Sequence, residues 1–273
     1  MLKRNKYLKW KWHNYLIAGL LMAFFPLLYF TDIFNEPFYA MGLKKIINWK
    51  GQPDSWYKWY LYGGMYTIAV IWGGLRFIFR NKHERYQILR TSSIMFFQVL
   101  FAFLIPFIMK IILNFDYYFS YLWPLKETYF YPSSIKHLPG PIIFYSFFAS
   151  GILVPILAYF LGKRWYCSWV CGCGGLANTA GDVYRHYSSK TKKSWKFERV
   201  AIHSVLIVIV FITLAVFLNT FDFKGAQNFN LRGITLFLTK VYFYIVSFGL
   251  AGLAGVALYP LFGTRVWCRF FCP

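Results

Sequence analysis

Apolar positions along this chain are not spaced at helical or strand intervals; they run together. Six unbroken stretches stand out, at about 12–30, 60–79, 94–113, 141–161, 201–218 and 236–262. At 1.5 Å per helical residue, about 20 residues cross a hydrocarbon layer. A soluble core of this size shows amphipathic periods instead. The pattern therefore predicts an all-α integral membrane protein, a six-transmembrane-helix bundle occupying residues 1–273 as one transmembrane domain. The first stretch is too long for a signal peptide and lacks a small-residue cleavage site. Pro26, Pro106 and Pro155 fall inside spans, where kinks are expected.

Composition agrees: 58% of residues are hydrophobic and only 14% charged, against roughly 25% charged in soluble domains. The net charge of +21 excludes little by itself, but its distribution does. Lys3, Arg4, Lys6, Lys9 and Lys11 precede the first span, and Arg76, Arg80, Lys82, Arg85 and Arg90 follow the second. Lys163, Arg164 and a basic run from Arg185 to Arg199 follow the fourth, and Arg265 and Arg269 follow the sixth. The excess on these alternate connections puts both termini in the cytoplasm by the positive-inside rule. Cations spread over four span-flanking segments suit anionic lipid, not nucleic acid. The basic stretch up to Arg199 reads as a surface helix lying on headgroups. The opposite connections carry Glu36-Pro37, Lys44-Lys45, Trp49 and Trp56, then Tyr117, Tyr118, Tyr121, Trp123, Tyr129 and Tyr131. They read chiefly as aromatic-belt anchors, with docking of an external partner as the sharper alternative.

The chemistry lies in a repeated phrase. Residues 162–171 and 263–272 both read G-x-R-x-Y/W-C-x-x-x-C, 101 residues apart, each directly after an apolar run. The topology brings Cys167, Cys171, Cys268 and Cys272 out on one face, where a reducing cytoplasm disfavours disulfides. An internal pseudo-repeat of two similar units would bring the pairs together into a four-sulfur metal site. With i, i+4 spacing on a helix continuing from the span, both thiols of a pair share one face. Cys173 is a fifth candidate ligand. Arg164 and Arg265 occupy equivalent places before the cysteines, suited either to offset thiolate charge from a second shell or to anchor at the interface. The glycines of Gly172-Cys173-Gly174-Gly175 suit a tight turn or backbone N–H approach to sulfur. Structural zinc, thiol–disulfide exchange and inert buried thiols are weaker readings of the same cysteines. The histidines offer no facing pair for haem, and His203 reads as a packed polar residue.

On these residues the chain resembles the membrane-bound iron–sulfur proteins of the NapH- and NosR-like type, the polyferredoxin-like 4Fe-4S binding domain family. Their mark is C-x-x-x-C-P after a transmembrane helix, often preceded by G-x-R. Cys268 to Pro273 matches it in full, whereas Cys167 to Gly172 has Gly in place of Pro. The resemblance implies electron transfer between quinol or flavoprotein partners and a respiratory or maturation enzyme, at a bacterial inner (cytoplasmic) membrane. It implies an iron–sulfur cluster, 4Fe-4S or 2Fe-2S, and no substrate chemistry of the chain's own. Such proteins continue into a C-terminal ferredoxin region; that region is expected to be absent from this chain, as in a truncated product. The alternatives are a membrane metal-handling protein, for metal reduction or transport, and a zinc-stabilised subunit anchor.

Overall fold

The computed structural model describes residues 12–29, 55–115, 117–162, 164–220 and 231–272. The basic residues Lys3 to Lys11, the features Glu36-Pro37, Lys44-Lys45 and Trp49, and Lys163 and Pro273 lie outside the described residues, as do the side chains of His13 and Trp56. All regular structure among the described residues is helical. Helix α1 is Trp12–Tyr29, α2 Ser55–Arg80, α3 Arg85–Leu113 and α4 Gly140–Leu161. Two short helices follow, α5 Trp165–Trp169 and α6 Gly172–Asn178. Helix α7 is Lys192–Thr220; α8 runs through Leu231–Tyr242 and Phe243–Ala257; α9 is Trp267–Phe271.

Among the described residues, four helices are long and apolar enough to cross a membrane: Arg85–Leu113, Gly140–Leu161, Lys192–Asn219 and Gly233–Ala257. Within α1 the apolar stretch is the shorter Asn14–Phe24. Large apolar side chains face outward along the long helices, including Ile112, Phe144, Tyr159, Ile207 and Phe237. That is the inverse of a soluble bundle, and it is what a lipid surround accepts.

The intrahelical prolines leave a specific mark. Proline has no N–H and its ring crowds the carbonyl four residues back. In α3 the N–H of Ile105, just before Pro106, reaches back five residues to Leu100. In α4 Val154, just before Pro155, likewise reaches Ala149. Near the end of α8, Leu258 N–H bonds Leu253 at 3.2 Å, two residues ahead of Pro260. In α3 and α4 one turn widens to make room for the ring, whereas in α8 the wide form runs through Phe243–Ala257; the flanking backbone groups stay paired as an apolar surround demands.

Two buried clusters hold the bundle together. Val70 of α2 and Ile94 of α3 pack with Leu176 and Ala177 of α6 and with Tyr259. Val205, Ile209 and Ile212 of α7 pack with Tyr242 and Val246 of α8, and Trp267 and Phe271 of α9 lie against them. Each core thus grips one of the two cysteine-bearing segments.

Two expectations are corrected here. The basic stretch up to Arg199 is largely exposed but is not a separate helix lying along a surface. Residues 172–178 turn inward because Leu176 and Ala177 fill the α2–α3 core, the turns at Ala180–Tyr187 pack on α2, and residues 192–199 are the first turns of α7. Tyr117, assigned to an aromatic belt, is fully buried: its ring stacks on Tyr129 at 4.7 Å and its hydroxyl pairs with Ser146 Oγ at 2.6 Å.

Candidate metal centre

Both cysteine segments begin with a glycine that stops the preceding helix. Gly162 has φ +93° and ψ 153°, and Gly263 has φ +85° and ψ 176°. Only glycine occupies this region readily, because a Cβ there meets the adjoining carbonyl. A single helical turn follows, and it closes in the same way twice. The N–H of Cys171 donates to Tyr166 O at 3.0 Å, and that of Cys272 to Trp267 O at 2.9 Å, each five residues back. The second cysteine of each pair then leaves the helix in extended conformation, with ψ 129° at Cys171 and 113° at Cys272. The expectation of a helix continuing straight from the span, with both thiols on one face, is therefore corrected. Glycine breaks the helix, and the wide closure swings the second sulfur off the end of the turn.

The two turns meet. The Cys272 thiol hydrogen-bonds the Cys167 sulfur across the 101-residue interval, and this bond and the charges of Arg265 and Arg164 hold Cys167 at a pKa of about 7 against the opposing effect of burial. Donation pushes Cys272 upward. Cys171, 1% exposed, donates to Cys173 and is raised by that bond and by burial, while the Gly174 backbone N–H bonds its sulfur and pulls the other way. Burial also raises Cys268, which lies within electrostatic reach of Cys167, Cys171 and Arg265. No disulfide joins any of the five. Gly174 is obligatory for this approach, since a Cβ there would overlap the Cys167 carbonyl oxygen.

Arg164 and Arg265 take separate partners. Arg265, itself at φ 67°, donates to Asn178 Oδ1 beside Cys268. Arg164 pairs with Glu198 of α7, and the other oxygen of that carboxylate accepts from Arg269 Nε at 3.0 Å. Arg269 also donates to Ser189 O. Glu198, 3% exposed, thus ties the first cysteine turn to the second. Sequence reasoning passed over Glu198 and Asn178, although Glu198 is the lone acid in the basic run from Arg185 to Arg199. His203 is exposed, with Nδ1 against Arg199 O at 2.5 Å, and takes no part in the centre; it is not the packed residue expected.

Soft thiolates from two directions are the donor set that iron–sulfur clusters and zinc prefer. The donors fit such a group in kind. In arrangement Cys272 bonds Cys167 and Cys171 bonds Cys173, while Cys268 and Cys167 line a cavity of only about 10 Å³. Among the described residues no three His, Cys, Asp or Glu side chains stand grouped as a formed ion site.

Long apolar helices here end in two converging, arginine-flanked thiol turns. Residues 144–193 and 245–273, which contain both turns, match the family described as 4Fe-4S binding domain. The cofactor it indicates is a 4Fe-4S cluster; the 2Fe-2S alternative finds no support. Such a domain points to an electron-transfer role. No curated protein and no solved structure matches the chain.

Proposed function

We propose that this chain is a multi-pass membrane electron carrier in which Cys167, Cys171, Cys268 and Cys272 hold one 4Fe-4S cluster. The observation that carries the assignment is the hydrogen bond between Cys167 and Cys272, which brings together thiols of both matched segments. Cys173, hydrogen-bonded to Cys171, is the fifth thiol beside these four. A 4Fe-4S cluster stores and releases one electron at a time. Arg164 and Arg265 set positive charge beside its ligands, which favours the reduced state. Glu198 fixes where Arg164 and Arg269 stand.

The basic ends of the spans lie in the cytoplasm in this reading, at a bacterial inner membrane. The two cysteine segments form related halves of a six-span fold. Electrons pass between a quinol or flavoprotein and a respiratory or maturation enzyme. Anaerobic purification with assay of iron, acid-labile sulfide and zinc tests the assignment. About four irons and four sulfides per chain are expected, with a visible chromophore that Cys268→Ser abolishes. Stoichiometric zinc without sulfide overturns the carrier reading in favour of a subunit anchor.

A further inference from the structure

Above the thiol turns lies an open cleft of about 1300 Å³, bounded by the end of α4, by α5, by the start of α7 and by the loop before α9. We infer that this cleft is a binding site for a phosphate-bearing planar aromatic ligand, in chemical class a nucleotide. The inference goes beyond electron transfer: it concerns binding, and it holds whether or not a cluster sits below.

Charge is the first argument. Arg164, Arg185, Lys190, Lys192, Arg265 and Arg269 line the cleft. The one carboxylate among its described lining residues, Glu198, is already held by two of them. The positive charge is therefore not neutralised within the cleft. Arg185 is 66% exposed and only loosely paired, 3.8 Å from Asp182, so its guanidinium remains open to an incoming phosphate.

The second argument is the interleaving of rings. Tyr86, Trp165, Trp169 and Trp195 share the same walls. Tyr86 meets Trp169 edge-on at 5.9 Å, which fixes that indole, and Trp195 is half-exposed with Arg199 over one face at 4.8 Å. Cations beside aromatic faces suit a molecule that carries both a phosphate and a flat ring.

Shape and polarity decide among anions. A lipid phosphate brings acyl chains, yet Leu161 is the only aliphatic side chain in the described lining. The cleft is wide and open, and at about 1300 Å³ it has room for a molecule carrying both a phosphate and a flat ring.

The test uses the purified protein in neutral-lipid nanodiscs, titrated with flavin mononucleotide while flavin fluorescence is followed. Saturable quenching is expected, with ADP competing and with riboflavin, the ring without the phosphate, binding about tenfold more weakly or worse. The double charge reversal Lys190→Glu with Lys192→Glu, at two exposed lysines, is expected to weaken binding by about tenfold with the melting temperature unchanged. Trp195→Ala should reduce the quench at saturation. Absence of saturable quenching, equal affinity for riboflavin, or indifference to the lysine reversals overturns the inference. So does abolition of flavin binding in nanodiscs containing anionic lipid, which makes the cleft a headgroup site. Iron and sulfide are assayed on the same samples. Binding lost with iron retained sinks the nucleotide site alone, and iron absent with binding retained sinks the electron-carrier reading alone.

Discussion

Cys167 differs from its neighbours because it accepts a hydrogen bond where Cys272 donates one, and because two arginines favour its ionised form. Its depressed pKa contributes stability that is present above the ordinary thiol range and is lost as pH falls through about 7. In iron-free protein, alkylation of Cys167 should therefore rise with a midpoint near pH 7, while Cys171, Cys268 and Cys272 react only above the usual thiol range; mass spectrometry of quenched samples reads the order. Glu198→Gln removes the charge from a buried carboxylate that serves two guanidinium groups. The expected cost is on the order of 2 kcal/mol, seen as a lower melting temperature together with reduced iron content. The cysteines and the two equivalent arginines were legible in the sequence because a ten-residue phrase occurs twice. Glu198 and Asn178 were not, because a hydrogen-bond partner 34 or 87 residues away leaves no local pattern.

At the scale of elements, apolar run length is a direct physical signal, and the long helices at 85–113, 140–161, 192–220 and 231–257 coincide with four of the runs read from the chain. Their ends were less legible. Basic residues at 192–199 add about two turns to α7, because cations at a helix end reach headgroups while the backbone stays helical. The turns that present sulfur were misread as straight continuations, since periodicity does not show a glycine at positive φ. Substitution at those glycines should discriminate between them. Gly162→Ala meets open space and suffers only the conformational penalty, of order 1–3 kcal/mol. Gly263→Ala carries the same penalty, and its Cβ also lies 2.5 Å from the Ser188 backbone nitrogen, so it should destabilise more and lose more iron. Thermal melts and iron assays of the two variants side by side measure the difference.

For the whole molecule, both thiol turns belong to one end of the bundle. A membrane-impermeant maleimide applied to intact spheroplasts of a bacterial host should leave all five cysteines unlabelled, and labelling should follow lysis and iron removal. Modification of either pair from outside would refute the assigned orientation. The helical class and the four long apolar helices were legible because lipid imposes one strong rule, apolar for about 20 residues. The meeting of the two turns was legible only as an expectation from symmetry; the two buried clusters that bring it about involve residues such as Val70, Ile94 and Val205, which look like any others in an apolar run. One consequence follows from the placement of Glu198 on the rod-like α7. A single anion divided between two arms behaves as a balance beam: whatever loosens its hold on one arginine tightens its hold on the other. Removing Arg164 and Arg269 together should therefore cost more than the two separate losses predict, because each single loss is partly made good by the remaining arm, and a tilt of the rod shifts weight from one half of the centre to the other.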